Sequence, residues 1–341
     1  MYLLELAGED DRFAAAEAAS AAEGVEVVAP GIATASAIEP DRVAGLAYVR
    51  RASDLLGRSE ADVEAARNLV EDADFDRTGS VAVRARDVRG TAGIDTQAVE
   101  RALGRALVER GFSVDLEAPD HKLRVVFADD VCAAGWLVVE GERDFGSRMP
   151  SDKPFFQPGS MDPLEARVVA NLAGARPGAT VLDPMCGTGG ILVEAGLVGA
   201  RVVGFDAQRK MARGARENLA RYLGGGDDPT GSTSAGFDVG QSDAARLPLR
   251  AGSVDAVVVD VPYGRQSKVA SDDVDSLVAA VLEEAHRVAG RGVVVADRSR
   301  EGEAVDAGWT VEAVFERPVH RSLTRYVHVL DGDEVADGGD G

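Results

Sequence analysis

The chain has little cysteine, lysine, histidine or aromatic side chain. Its two cysteines, Cys132 and Cys186, cannot build a disulfide framework, and neither has a Cys or His neighbour at metal-ligand spacing. The four histidines, His121, His286, His320 and His328, are equally scattered, so no protein metal site is expected. No apolar run approaches the roughly 18 to 20 residues that span a bilayer, which argues against a membrane partner. The start, Met1-Tyr2-Leu3-Leu4-Glu5, carries no basic leader ahead of an apolar run, and the expected compartment is the cytoplasm.

Lysine is the sharpest shortage: four residues (Lys122, Lys153, Lys210, Lys268) stand against 33 arginines, in a chain of net charge −21. Such acidity argues against nucleic acid when taken alone. The same balance, rich in Asp, Glu, Ala and Gly, resembles proteins of salt-loving archaea. There, molar salt shortens the Debye length to about 3 Å and screens the mutual repulsion of carboxylates. The acidity then reports habitat rather than ligand.

What is present is enough apolar residue, 45% of 341, for two or three cores. The first ~55 residues alternate strand-like runs (2–6, 25–28, 45–49) with one alanine-rich helix over 11–23, a small α+β pattern. A second α+β unit follows from about Arg58 to Phe145, with helices over 60–71 and 96–110 and strands over 80–88, 123–127 and 133–140. From Ala179 the rhythm becomes strand, turn, helix. Strands are expected over 180–183, 201–205, 254–260 and 292–296, then 310–315 and 324–330. Runs such as Ala256-Val257-Val258-Val259 suit a parallel sheet covered by helices on both faces. The stretch 223–236 reads as a flexible insertion, and 331–341 as a disordered acidic tail.

The strongest local signal is Val181-Leu182-Asp183-Pro184-Met185-Cys186-Gly187-Thr188-Gly189-Gly190-Ile191-Leu192. An apolar strand runs into an Asp, then a glycine-rich turn, then a helix. Gly187 and Gly189 remove the Cβ atoms that would keep a ligand off the turn, and the helix start offers N–H groups to a carboxylate. Dinucleotide-binding domains open in the same way, so later acids must decide. Asp206 closes the next strand 23 positions after Asp183 (206 − 183), where a ribose diol would be met. Asp243, in Gln241-Ser242-Asp243-Ala244, can accept from an adenine amino group. Acids at three successive strand ends fit S-adenosylmethionine better than a nicotinamide cofactor. For each acid alone the competing role is a helix cap, and that role suits Asp243 best. Cys186 in this turn is read as a small packing residue against the cofactor, not as a covalent nucleophile.

Val257-Val258-Val259-Asp260-Val261-Pro262-Tyr263-Gly264 ends the fourth parallel strand. It is similar to the Asp-Pro-Pro-Tyr motif of methyltransferases acting on exocyclic amines, with Val261 in place of the first proline. An aromatic amino nitrogen has its lone pair delocalised into the ring and attacks poorly until acceptors hold its hydrogens. Asp260 and a carbonyl near Val261 or Pro262 can do so. Tyr263 would stack on the displaced base. The bland alternative is a tight turn whose Asp and Tyr merely pack.

Upstream lies Lys153-Pro154-Phe155-Phe156-Gln157-Pro158-Gly159-Ser160-Met161-Asp162-Pro163. With the two motifs above, this resembles the archaeal tRNA (guanine(10)-N2)-dimethyltransferase family, in a haloarchaeal form. Gln157 departs from the His usual in that loop. The resemblance implies an α/β fold: a Rossmann-like methyltransferase sheet with helices on both faces, preceded by ferredoxin-like and THUMP α+β domains. The implied boundaries are 1–57 for the ferredoxin-like piece, 58–145 for THUMP and 146–165 for a linker and cofactor-pocket loop. The methyltransferase domain then takes 166–331 and an acidic tail 332–341.

It further implies S-adenosylmethionine as cofactor, held by Ser160, Asp183, Cys186, Gly187, Gly189, Asp206 and Asp243, with Asp260, Pro262 and Tyr263 catalytic. The tRNA would be gripped by arginines of the THUMP segment. Positions 77–110 hold seven arginines against four acids, a local +3 (7 − 4) in an acidic chain. Arg77, Arg84, Arg86, Arg89, Arg101 and Arg105 are the expected phosphate contacts. A second basic cluster, Arg209, Lys210, Arg213, Arg216 and Arg221, follows Asp206. No DNA partner is expected. The chain would act as a monomer, or as a heterodimer if a small activator subunit is used. Rival readings are a methyltransferase of another tRNA or rRNA guanosine or of adenine N6, a non-catalytic RNA-binding protein, and a dehydrogenase.

Overall fold

The computed structural model describes residues 1–224, 236–261 and 271–332. It divides into two compact units, Met1–Arg143 and Asp144–Gly341. Most of the insertion expected at 223–236 and nearly all of the acidic tail lie outside the described residues, as do Pro262 and Tyr263.

The first unit runs β1 (Tyr2–Leu6), α1 (Asp11–Ala18), β2 (Ala22–Glu23), β3 (Glu26–Ala29), β4 (Ile32–Ala35), β5 (Ala37–Ile38), α2 (Pro40–Ala44) and β6 (Val49–Glu60). It continues with α3 (Val63–Asp72), β7 (Ser80–Asp87), α4 (Thr96–Glu109), β8 (Ser113–Val114), β9 (His121–Ala128) and β10 (Val131–Glu140). Eight strands form one sheet in the order β3-β4-β1-β6-β10-β9-β7-β8. Leu103 and Leu107 of α4 and Ala66 and Val70 of α3 bury themselves against Leu123, Val125, Phe127 and Trp136 of the sheet. The opposite face packs Leu3, Ile32, Val126 and Ala133.

Two departures from expectation have local causes. Helix α1 stops at Ala18 rather than running to 23, because Ala22 and Glu23 pair with Ile38 and Ala37 and Gly24 turns the chain at φ +59°. Strand β6 extends from the expected 45–49 to Glu60, carrying one strand through position 57, where the ferredoxin-like and THUMP pieces were expected to meet. Its sequence, VRRASDLLGRSE, lacks the alternation that marks a half-buried strand, and β10 holds it across two register shifts. Asp62 then caps α3 through the N–H groups of Glu64 and Ala65, both at 2.8 Å, so the helix begins at 63 rather than 60.

The second unit runs α5 (Pro163–Leu172), β11 (Thr180–Asp183), α6 (Gly190–Leu197), β12 (Arg201–Asp206), α7 (Arg209–Leu223) and β13 (Phe237–Gln241). Then come β14 (Ala256–Asp260), α8 (Ser271–Val288), β15 (Arg291–Ala296), α9 (Glu301–Asp306), β16 (Thr310–His320) and β17 (Leu323–Asp331). The sheet order is β13-β12-β11-β14-β15-β17-β16, with β17 running antiparallel to the other six strands. Residues 321 and 322 turn β16 back into β17, and β17 inserts beside β15. Val257 and Val259 pack with Val278, Val281, Leu282 and Val294 in one buried core, as a strand covered by helices requires. The strand order reverses at β11, whose neighbours are β12 on one side and β14 on the other. In open α/β sheets a crevice forms at the carboxyl ends of the strands at such a switch point.

Candidate active site

Asp183, Asp206 and Asp260 end β11, β12 and β14, three adjacent strands meeting at that crevice. Asp183 is 2% exposed and accepts one hydrogen bond, from the Met185 N–H at 3.0 Å. Burial pushes its carboxyl well above the usual carboxylate range, and the nearby charges of Asp260 and Asp206 push it further. The three acids therefore sense one another across the sheet edge. Asp206 accepts from the Gly187 N–H at 3.1 Å and from the Gln208 N–H at 2.7 Å, one on each oxygen. Burial raises its pKa against those two bonds. Each oxygen retains a lone pair for a ligand hydroxyl.

The glycine turn is shaped for close approach. Gly187 and Gly189 have φ +53° and +76°, the left-handed region that favours glycine. A Cβ at Gly187 would meet nothing nearer than the Met185 carbonyl at 4.0 Å, so its side of the turn is open. A Cβ at Gly189 would press on Ala215 of α7 at 3.3 Å, so that glycine serves packing. Cys186 points the other way. Its Sγ lies 3.2 Å from where a Cβ of Gly204 on β12 would sit, which leaves it main-chain contacts to offer a ligand. Burial, then the Asp183 and Asp206 charges, keep its thiol protonated well above the ordinary range, so it is a poor nucleophile.

The remaining expected residues are placed less evenly. Ser160 is half-buried, donates to the Gln157 carbonyl at 2.8 Å and lies 3.2 Å from the Thr188 hydroxyl, which ties the upstream loop to the turn. Asp243 is exposed and accepts from the Ala245 N–H at 3.0 Å, closing a turn; no helix begins there for it to cap. Asp260 is half-buried at the end of β14, and Val261 continues the strand pairing through its N–H to the Val295 carbonyl at 3.0 Å.

Two contributors were not singled out from sequence, Asn218 and Lys153. Asn218 in α7 is fully buried. It accepts from the Phe155 N–H at 2.9 Å and donates to the carbonyls of Phe155 and Thr188, both at 2.8 Å. One amide thus clamps the upstream loop to the glycine turn. Gly214, one turn earlier, lets the Phe155 ring lie on the helix: a Cβ there would stand 2.0 Å from the ring. A buried Asn on the face shared with Ala215 and Leu219, and a glycine inside a helix, were the available signals. Lys153 is 5% exposed, with its ammonium 3.5 Å from where a Cβ of Gly190 would be.

In the first unit the arginines divide by occupation. Arg84 donates to the Leu116 carbonyl at 2.7 Å, and Arg89, at φ +57°, holds Asp11 at 2.6 Å and the Gly8 carbonyl at 2.8 Å. Arg110 lies 3.9 Å above the Phe75 ring and donates to the Val70 carbonyl at 2.7 Å. Arg77 stands 5.4 Å from the Trp136 ring, and Arg86 3.8 Å from buried Glu5. Arg101 and Arg105 differ: both are exposed, on one face of α4, and Arg101 has only Asp95 at 4.0 Å. They line a groove of about 680 Å³ between α4 and the β7–β8 edge, with Val83, Val108, Val114 and Leu116. On the second unit, Arg213 is 75% exposed beside Glu217 at 3.6 Å.

Glycine turn, carboxylate-tipped strands and switch-point crevice together define a Rossmann-like enzyme that uses S-adenosylmethionine, a methyltransferase. Residues 150–327 match the RMKL-like methyltransferase domain, and residues 60–133 match the THUMP domain. The tRNA (guanine(10)-N2)-dimethyltransferase of Methanothermobacter thermautotrophicus is 36% identical over 293 residues, covering 84% of this chain and 83% of that protein. The protein of the same name from Methanocaldococcus jannaschii is 29% identical over 75% of this chain and 72% of its own length. Among solved structures, TrmN from Thermus thermophilus is similar over 97% of this chain and 99% of its own, at 24% identity and a TM-score of 0.49. The chain belongs to the tRNA (guanine(10)-N2)-dimethyltransferase family.

S-adenosylmethionine supplies an electrophilic methyl group on a sulfonium. The site fits it: Gly187 leaves open the space a side chain would fill, and the carboxylates around it suit a cationic ligand carrying a ribose diol.

Proposed function

We propose that this enzyme methylates N2 of the guanosine at position 10 of tRNA, adding a first and then a second methyl group. The name of the Methanothermobacter relative supports the position and the count. The observation that carries the chemistry is the gathering of Asp260 with Asp183 and Asp206 at the switch point, beside the open face of Gly187. Asp260 accepts one N–H of the guanine amino group, and a main-chain carbonyl just after it accepts the other. As those bonds strengthen toward the transition state, lone-pair density gathers on nitrogen, which is then aligned for displacement at the methyl carbon. Pro262 and Tyr263 complete this reading from outside the described residues, Tyr263 as the stacking platform.

Asp183, Gly187, Gly189 and Asp206 hold the cofactor, with Cys186 touching it through its main chain and Ser160 bracing the loop across it. Asp243 is assigned the adenine amino group. In the THUMP part, Arg101 and Arg105 make the phosphate contacts, and Arg77, Arg84, Arg86 and Arg89 contribute charge from positions already braced against the protein. Residues 1–57 act as a ferredoxin-like spacer and 58–145 as the THUMP grip. The enzyme works in the cytoplasm of a salt-loving archaeon, its surface acids screened by salt, and a small activator subunit is an allowed partner.

Incubating unmodified archaeal tRNA with methyl-labelled S-adenosylmethionine in molar salt, followed by nucleoside mass spectrometry and mapping, tests this. N2-methylguanosine and then N2,N2-dimethylguanosine at position 10 are expected. Label on adenosine, or on guanosine elsewhere, would move the reading to a rival substrate.

A further inference from the structure

The β16–β17 hairpin runs past the sheet it belongs to. On β17 the last residue paired with β15 is Tyr326, opposite Ala296. Leu323, Thr324 and Arg325 lie beyond it and pair with His320, Pro318 and Arg317 of β16. At about 3.4 Å per residue, that stretch carries the ribbon roughly 10 Å past the end of β15, on the carboxyl edge where Asp260 ends β14. In the sheet β17 is two strands from β14 and β16 three, so the ribbon stands about 10 to 15 Å to the side of Asp260.

The charge of this ribbon is opposite to that of the chain. No acid occurs from Arg317 to Leu330, whereas Arg317, Arg321 and Arg325 do, in a protein of net charge −21. Pro318, Val319, His320, Arg321 and Ser322 are all exposed. A tip that served only solubility or guarded an edge strand would carry acids as readily as the rest of the surface does. Arg317 braces the ribbon by donating to Glu165 of α5 at 2.9 Å. Helix α5 follows directly on the loop whose Ser160 meets Thr188 of the glycine turn, so the ribbon is tied to a wall of the cofactor pocket.

Beyond that brace the tip is free to meet a ligand. Among the described residues the side chain of Arg321 makes no ion pair or hydrogen bond. The register shifts at Val319, leaving that side chain 45% exposed between Pro318 and His320. Such bulges re-aim side chains and are frequent beside active sites. A guanidinium, an imidazole and a small apolar surface on a narrow tip suit a phosphate and its sugar. A base displaced into a pocket leaves its backbone outside, to be met by cations at the rim.

We propose that the tip of the β16–β17 hairpin, through Arg321 and His320, holds the RNA backbone next to the nucleotide being methylated, with Arg321 as a positioning residue. This deepens the reading that a tRNA guanosine is methylated at Asp260, and rests on it. The two basic regions then divide the work: Arg101 and Arg105 hold the RNA from the first unit, and the hairpin fixes the strand beside the reacting base.

Charge reversal in the full-length enzyme, with unmodified tRNA and methyl-labelled S-adenosylmethionine, tests the assignment. For Arg321→Glu the KM for tRNA should rise at least about tenfold and kcat fall by less than about twofold, because a contact made equally in ground and transition states is lost. Affinity for S-adenosylhomocysteine and the melting temperature should match the wild type. Arg176→Glu makes the same charge change in the exposed loop before β11, on the opposite edge of the sheet, and should move KM by less than about twofold. Arg321→Ala should lower the salt slope of tRNA binding by about one, and decides alone if the reversal does not fold. In hydroxyl-radical footprinting both Arg321 variants should lose protection of the backbone flanking the methylated guanosine and keep the rest. Equal KM changes in the two reversals, or an unaltered footprint at the target, overturns the proposal. The failures separate: loss of tRNA affinity in Arg321→Glu with label on another nucleotide keeps the hairpin and drops position 10. Label at position 10, with Arg321→Glu behaving like Arg176→Glu, keeps the position and drops the hairpin.

Discussion

Glu5 and Asp183 are both buried carboxylates on strands, one in each unit, and their company is opposite. Glu5, 1% exposed, takes a two-pronged grip from Arg124 at 2.7 and 2.9 Å, with Arg51 at 3.7 Å and Arg86 at 3.8 Å. Glu17, also buried, is satisfied by the N–H groups of Ala47 and Tyr48 at 2.7 and 2.6 Å. Asp183 has one N–H, and its charged neighbours are two more acids. A carboxylate answered by cations or N–H groups ties a fold together. A buried acid whose charged neighbours are further acids marks the place where a cationic ligand completes the structure. The fold can thus be read as closed at Glu5 and open at Asp183.

The largest expected effect lies on the open side. Asp260→Ala should lower methyl transfer by at least about a hundredfold, the scale of losing a group that acts on the transition state, while affinity for S-adenosylhomocysteine stays within a few-fold. Activity retained in that variant would remove Asp260 from the chemistry. On the closed side, Glu5→Gln should lower stability by about 3 kcal/mol in denaturant unfolding by stranding Arg124, with cofactor affinity unchanged. A neutral result there would erase the contrast with Asp183.

The pH response sharpens the same comparison. Folding raises the pKa values of Asp183 and Asp206, and a cationic ligand needs them ionised. Affinity for S-adenosylmethionine, whose sulfonium makes it cationic, should therefore be full at high pH. It should fall as pH drops through those raised values, starting above the ordinary carboxylate range near about 4. A flat titration down to that range would contradict the shifts. The smallest effect is at the surface: Arg101→Ala with Arg105→Ala should weaken tRNA binding and reduce its salt dependence by about one phosphate contact per residue. An unchanged salt slope would place the RNA elsewhere.

Much of the open side was legible in the sequence because its signals are local. A Val-rich strand, an Asp, glycines and a helix follow one another without a break, and Asp183, Asp206 and Asp260 each close an apolar strand-like run. Lys153 stood within a recognised motif, yet nothing local says its ammonium would reach Gly190 without a partner, because Asn218 and Phe155 set that distance from 63 positions apart. The partners of the first unit's arginines were hidden for the same reason. Six of the segment's seven arginines were read as phosphate contacts. Arg84 and Arg89 are engaged by Leu116 and Gly8, 32 and 81 positions away, and those partners are main-chain carbonyls that composition cannot show. Strand β6 was cut short for a third reason: its sequence does not alternate, and its register comes from β1 over 49–54 and from β10 along its length.

Asp183→Asn tests the contrast most directly, because it removes one charge and keeps an acceptor for the Met185 N–H. Since folding raises the Asp183 pKa, its ionisation above that value costs the ligand-free protein stability. The variant should then melt at a higher temperature than the wild type at neutral pH, and bind S-adenosylmethionine at least about tenfold more weakly. A lower melting temperature with undiminished binding would show that Asp183 is one more structural acid like Glu5, and that the cofactor does not depend on it.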